Sequence, residues 1–214
     1  MKTKLTSLLV AFGLITNAAF AGNSANIGYT SDFFYRGEQK ALESVQASVD
    51  LEQSVLGLDG SIHACTNQSV DQGVDSYRLA AGLGKSFGDL FSVYGGFNHF
   101  EDVAGEAISE LELRLSLNVL GNPSVSAFRD TDDDLYTFEG SLSHSIDVKV
   151  ADLSLRGSFG NTDATAVDNR TYYSVGLGLS RAIGEATAGL SVDLVDADDI
   201  DREFVFGTAL TFDF

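Results

Sequence analysis

His63 and Cys65 are the residues of this sequence best suited to chemistry, because an imidazole and a thiol can act as base and nucleophile or as two metal ligands. On an extended strand, residues at this spacing point the same way but lie about 7 Å apart, which is too far for a direct hydrogen bond. No third ligand is evident nearby in the sequence. We therefore interpret the pair as two small interior side chains, one polar and one apolar, and predict no metal site.

The Asp-rich run Asp130–Asp134 resembles a calcium-binding segment, since hard cations prefer carboxylate oxygens. It lacks the spaced ligands and the distal Glu of an EF-hand, so we expect diffuse attraction of cations rather than a specific site. His99 and His144 fall on apolar faces near opposite strand ends, where we expect a membrane interface. No Gly-x-Ser-x-Gly, P-loop, His-Glu-x-x-His or CxxC motif occurs. We therefore expect no catalytic residue, no cofactor and no enzyme.

The elements that carry these residues are predicted by a strict alternation of polarity. Val45, Ala47, Val49 and Leu51 alternate with Ser44, Gln46, Ser48 and Asp50, and the same period recurs along the chain. Helical spacing fits none of these segments. The pattern predicts twelve strands, with ten as the alternative, near 24–35, 44–52, 55–65, 76–87, 90–100, 108–118, 122–129, 135–146, 149–159, 171–181, 185–195 and 203–214.

Two features favour a membrane barrel over a soluble β-sandwich. Predicted connections after even-numbered strands are short, whereas those after odd-numbered strands tend to be longer and acidic, as at 67–75, 130–134, 161–169 and 196–201. The polar face also contains many Gly, Ser, Thr and Ala residues, which suit a narrow interior better than a solvated surface. We therefore predict an all-β, transmembrane, antiparallel up-and-down barrel over residues 22–214.

The N-terminal segment 1–21 has the order of a cleaved secretory signal peptide: Lys2 and Lys4, an apolar centre, and Ala19-Phe20-Ala21 before the cleavage point. The whole chain carries a formal charge of −18, and removal of the two lysines makes it more negative by two. Such acidity argues against nucleic-acid binding, which requires basic patches. With Cys65 as the single cysteine, no internal disulfide can form.

Aromatic residues cluster near the predicted strand ends, as in the girdles of membrane barrels. The run Phe33-Phe34-Tyr35 interrupts the alternation where the first strand is predicted to leave the membrane. We assign to the membrane interfaces Phe33, Phe34, Tyr35, Phe204, Phe206, Phe212 and Phe214. Arg36 follows the first of these groups, and the sequence favours a structural rim role for it over a position at a pore mouth, with a salt bridge to a loop carboxylate.

Both ends of the predicted barrel resemble known sequences. The run Ser24–Gln39, which contains Ser-Asp-Phe-Phe-Tyr-Arg-Gly, resembles the N-terminal motif of the TorF-type porin family of proteobacteria. The closing run Thr208–Phe214 resembles the C-terminal signal of outer-membrane barrels. This resemblance implies that the barrel-assembly machinery recognises Phe214.

The alternation also predicts which side chains line the interior. These are Asp32, Arg36, Asp50, Asp59, His63, Arg78, Glu110, Glu112, Arg114, Glu139, Arg156 and Asp193. Eight strands enclose a filled lumen and 16 to 18 leave an open channel, so a pore of twelve should be narrow or partly blocked. The acidic balance should favour cations.

We expect a Gram-negative outer-membrane channel for passive, mildly cation-selective diffusion of small hydrophilic solutes. The alternative is a closed structural or surface-interaction barrel, in which paired charges seal the interior and acidic loops meet ions or lipopolysaccharide. In either case, outer-membrane lipid and lipopolysaccharide are the expected surroundings.

Overall fold

Twelve antiparallel strands account for most of the residues that the structure describes. A computed structural model describes residues 22–70, 75–133, 135–164, 168–198 and 200–214, and the predicted signal peptide lies outside these ranges. The strands are β1 Ser24–Tyr35, β2 Glu38–Val55, β3 Leu58–Ser69, β4 Ser76–Phe87, β5 Phe91–Asp102, β6 Ala107–Leu117, β7 Ser124–Asp130, β8 Tyr136–Asp147, β9 Asp152–Ala164, β10 Asp168–Ile183, β11 Ala186–Ala197 and β12 Ile200–Asp213.

The sheet closes on itself as an up-and-down barrel. Each strand pairs with its neighbour in sequence, and β1 pairs with β12 in a register that places Ser24 opposite Asp213. Closure leaves no open sheet edge, so backbone pairing runs around the whole barrel. The predicted fold class and the count of twelve are therefore confirmed, and the alternative of ten is wrong.

The barrel exposes apolar side chains and buries polar ones, the reverse of a soluble protein. On β6, Leu111 and Leu113 are 51% and 61% exposed, whereas Glu110 and Glu112 are 3% and 6% exposed. Leu190 and Phe206 project outward in the same way. Among the described residues, no helix has the length and apolar character needed to cross a membrane. The apolar exterior is the type that suits hydrocarbon surroundings.

The expected difference in length between connections at the two ends of the barrel is not found. β2 begins at Glu38 rather than near 44, β9 extends to Ala164, and β11 and β12 leave only residues 198–199 between them. Backbone pairing continues through these acidic segments because ladder hydrogen bonds do not depend on side-chain polarity. Two of the predicted acidic loops, 161–169 and 196–201, thus fall largely within strands, whereas β3 and β4 still leave 70–75 between them and β7 and β8 leave 131–135.

Candidate functional site

The β1–β2 turn positions an arginine inside the barrel. Arg36 and Gly37 have φ of 52° and 76°, the backbone of a tight two-residue hairpin turn. The Arg36 guanidinium donates to Glu110 at 2.9 Å and to Glu139 at 3.1 Å. It also lies over the ring of Phe128, with its central carbon 3.5 Å from the centroid. Because β6, β7 and β8 lie across the barrel from β1, these contacts cross the lumen.

Two tyrosines complete this transverse layer. The Tyr35 ring stacks on Phe100 at 4.5 Å between centroids, and its hydroxyl donates to Glu110 at 3.0 Å. From β10, the Tyr172 hydroxyl donates to Glu139 at 2.9 Å. We call the layer the septum, and it consists of Tyr35, Arg36, Phe100, Glu110, Phe128, Glu139 and Tyr172. It narrows the lumen near the end opposite the chain termini.

The septum corrects two expectations from the sequence. Tyr35 is buried inside the barrel rather than lying in an aromatic girdle, because the β1–β2 register shifts between Phe33 and Phe34 and the alternation slips there. Arg36 pairs with carboxylates of the barrel wall rather than with a loop carboxylate at the rim.

Glycines leave the room that Tyr172 occupies. A Cβ at Gly160 would lie 2.1 Å from Cζ of Tyr172 and 2.4 Å from its hydroxyl oxygen. A Cβ at Gly37 would lie 2.8–2.9 Å from the same side chain, and the positive φ at Gly37 also disfavours other residues. The missing side chains at these two positions therefore leave the space from which the Tyr172 hydroxyl reaches Glu139.

A second polar network lies between the septum and the end with the termini. Arg78 donates to the side-chain oxygen of Asn98 at 2.8 Å, and the Asn98 amide nitrogen donates to Glu112 at 3.0 Å. Glu112 also accepts from Arg114, whose Nε lies 2.9 Å away. The Arg114 guanidinium lies over the ring of Tyr94, at 5.3 Å. Arg78, Glu112 and Arg114 are thus brought together as neighbours on β4 to β6.

A third pair occupies the opposite half of the interior. Arg156 on β9 donates through Nε to Asp193 on β11 at 2.7 Å, passing over β10. A Cβ at Gly176 would lie within 1.8 Å of the Asp193 carboxylate, so the missing side chain on β10 makes the bridge possible. A cavity of about 370 Å³ lies beside this pair.

The remaining predicted interior residues have separate partners. Asp50 lies 2.6 Å from Nδ1 of His63, and Asp59 accepts a hydrogen bond from Ser54. Asp32, near the β1–β2 hairpin, accepts from Gln39 at 2.9 Å. A cavity of about 840 Å³ is lined by residues that include Asp50, Asp59, His63, Arg78, Glu112 and Arg114.

Cys65 and the Asp-rich segment do not form metal sites among the described residues. Cys65 is a free thiol, and no group of three or more His, Cys, Asp or Glu side chains in the described ranges is arranged to hold a metal ion. The carboxylate of Asp130 accepts backbone hydrogen bonds from Asp132 and Asp133, which closes a turn. Asp134 lies outside the described residues.

The rim at the septum end combines acidic groups with a few cations. Lys40 donates to Glu38 at 2.8 Å and to Glu106 at 3.2 Å. At the β11–β12 hairpin, Asp196 accepts from Tyr173 and from Arg202. These two donors, the tyrosine first, hold the pKa of the Asp196 carboxyl below its ordinary value.

Most of the aromatic residues assigned to interfaces face outward. Phe204, Phe206, Phe212 and Phe214 are exposed, and Phe33 and Phe34 are half-buried near the β1–β2 turn. The sequence reasoning missed three septum aromatics, namely Phe100, Phe128 and Tyr172. The sequence contains a signal that Phe100 and Phe128 point inward, because each occupies the polar phase of its strand. Phe100 lies two residues from Asn98 and from Asp102, and Phe128 lies two residues from Ser126 and from Asp130.

Comparison with solved structures identifies the same barrel fold in porins. A structure described as KdgM porin superposes with a TM-score of 0.61 at 12% identity, covering 89% of this chain and 99% of the other. KdgM porin in complex with disordered oligogalacturonate gives 0.62 at 10% identity, with coverage of 91% and 99%. NanC porin gives 0.59 at 11% identity, with coverage of 91% and 100%.

The sequence itself has no detectable relative in the other comparisons. No protein-family model and no curated protein matches it. The resemblance to TorF-type porins therefore stays a prediction. What the comparisons establish is that this chain has the closed β-barrel fold of these porins.

Proposed function

We propose that the chain is a Gram-negative outer-membrane channel for passive diffusion of small hydrophilic solutes. The observation that carries the proposal is a closed barrel with an apolar exterior and a charged interior, in which described residues line cavities of about 370 and 840 Å³. In this proposal the predicted segment 1–21 directs export and is cleaved. The barrel-assembly machinery recognises Phe214, and lipid with lipopolysaccharide surrounds the inserted barrel.

The same proposal includes a mild preference for cations. The interior arginines Arg36, Arg114 and Arg156 are each neutralised by an ion pair, so they add little net positive potential. Asp50, Glu52 and Asp59 have no Lys or Arg partner among the described residues, and these three carboxylates outnumber Arg78, an interior guanidinium without a carboxylate partner there, so the lumen is negative on balance. A negative lining raises the local concentration of cations. One similar porin is described in complex with an oligogalacturonate, which is a polyanion. Because the interior of this chain is acidic, we do not propose a polyanionic ligand for it.

The septum specifically favours a second candidate, a closed structural or surface-interaction barrel. Phe100 is 1% exposed and Phe128 is 4% exposed, so the layer is packed rather than lined with water-accessible groups. In the channel proposal, solutes pass this layer through a narrow path. In the closed-barrel alternative, the ion pairs of the septum seal the lumen permanently. No catalytic role belongs to either candidate.

Swelling of liposomes that contain the refolded mature chain separates the two candidates. The expected result is entry of arabinose, slower entry of glucose and exclusion of larger oligosaccharides, because the septum narrows the path. Arg36→Ala should admit all of them faster. A heat-modifiable gel shift confirms that each sample is folded. If both folded proteins leave the liposomes impermeable to arabinose, the channel proposal is wrong and the closed barrel stands.

A further inference from the structure

The larger interior cavity has carboxylates and guanidinium groups on different parts of its wall. It measures about 840 Å³ and lies between β2 and β6, on the side of the septum that holds the chain termini. Asp50 and Glu52 on β2 and Asp59 on β3 contribute the carboxylates. Arg78 on β4 and Arg114 on β6 contribute the guanidinium groups. The cavity therefore presents carboxylates from β2 and β3 and guanidinium groups from β4 and β6 to the same space.

The carboxylates of Asp50, Glu52 and Asp59, which form the acidic wall of the cavity, are not neutralised by ion pairs within the described residues. The Asp50 side chain is 42% exposed and contacts His63, and Asp59 accepts one hydroxyl hydrogen bond, from Ser54. Among the described residues, neither Asp50 nor Asp59 nor Glu52 has a Lys or Arg nitrogen within ion-pair distance. These carboxylates are therefore available to a cationic group that enters the cavity.

Arg78 lies on β4, the strand paired with β3, and among the guanidinium groups of the cavity it is the one without a carboxylate partner in the described part of the chain. Arg114 is neutralised by Glu112, which also accepts from Asn98. Arg78, by contrast, donates to the neutral Asn98 side chain, and its Nε has no hydrogen-bond partner within the described part of the chain. A guanidinium held in a protein interior without a carboxylate is unfavourable, and a carboxylate ligand would relieve that cost. A ligand that complements the Arg78 guanidinium must therefore carry a carboxylate.

We propose that this cavity binds a zwitterionic solute, one that carries an ammonium group and a carboxylate at opposite ends, such as an amino acid. Its ammonium group faces Asp50, and its carboxylate pairs with Arg78, which lies two residues along β4 from the row of Asp50, His63 and Ala80. A simple cation would leave Arg78 unpaired, and a simple anion would be repelled by the acidic wall. The site deepens the proposed function, on which it rests, by naming the class of solute that the channel passes.

Equilibrium binding to the refolded chain in detergent micelles tests the site without requiring conduction. The probes are 4-aminobutyrate, butyrate and n-butylammonium, which have similar lengths and differ in charge, and calorimetry or ligand-observed NMR gives their dissociation constants. We expect 4-aminobutyrate to bind most tightly. Arg78→Gln should weaken its binding roughly tenfold and leave n-butylammonium unchanged, and Asp50→Asn should weaken both.

Arg202→Gln is the matched control, since this arginine lies on the exposed rim, and it should leave all three constants unchanged. The proposal is overturned if n-butylammonium binds as tightly as 4-aminobutyrate, or if Arg78→Gln has no more effect than Arg202→Gln in samples that retain the folded gel shift. Binding without liposome permeability would contradict the channel alone. Permeability without binding would contradict the zwitterion site alone.

Discussion

At the residue scale, Arg36 contacts three strands on the far side of the lumen, β6, β7 and β8. Its guanidinium is shared by Glu110 and Glu139 and stacks on Phe128, and only 15% of its side chain is exposed. A non-glycine residue at φ 52° costs about 1 kcal/mol or more. The ion pairs offset this cost, which explains how an arginine is accommodated at a turn position that glycine or asparagine would adopt more easily.

Removal of the Arg36 side chain should therefore be strongly destabilising. Arg36→Ala leaves the buried Glu110 carboxylate without its cation, and we expect the free energy of unfolding in lipid vesicles to fall by about 3–5 kcal/mol. Urea unfolding followed by tyrosine fluorescence measures it. Arg202→Ala, which removes an exposed ion pair, should change stability by less than about 1 kcal/mol. Equal effects of the two substitutions would show that the septum contributes no stability.

At the scale of the strands, the sequence predicts twelve elements correctly because alternation is a local property of each segment. β4, for example, runs from Ser76 to Phe87 as predicted. The early start of β2 at Glu38 and the inward turn of Tyr35 could not be predicted in this way. Both depend on a register shift against a neighbouring strand, and an isolated segment carries no record of it.

At the same scale, the close contact between Gly160 on β9 and Tyr172 on β10 can be tested by substitution. Gly160→Ala places a methyl group where the Tyr172 ring lies, so the ring should move and its hydrogen bond to Glu139 should break. We expect a higher single-channel conductance with the barrel still folded, because the obstructing atoms belong to a side chain that can rotate. Gly140→Ala, where a Cβ meets nothing within 4 Å, should leave conductance unchanged.

If Gly160→Ala and Gly140→Ala have the same single-channel conductance, and both give the folded gel shift, then Tyr172 does not narrow the path through the lumen. A loss of folding in Gly160→Ala alone would instead mean that the Tyr172 ring cannot leave its place.

At the scale of the whole molecule, the sequence predicts the charges of the interior but not their pairing. The alternation predicts an interior position for Arg36, Glu110 and Glu139, because each falls on the polar phase of its strand or next to it. Their meeting requires the closed barrel, since it joins β1 to strands on the far wall. The division of the lumen into a septum and two cavities likewise follows from closure.

Single-channel recording of the refolded mature chain in a planar bilayer, under a potassium chloride gradient, shows whether the barrel conducts ions and which sign of charge it favours. We expect discrete steps of small conductance whose reversal potential is displaced toward that of potassium, since the unpaired interior carboxylates favour cations. We also expect larger steps for Gly160→Ala. A reversal potential displaced toward chloride would contradict the cation preference, and silence from folded wild-type and variant protein would contradict a channel altogether.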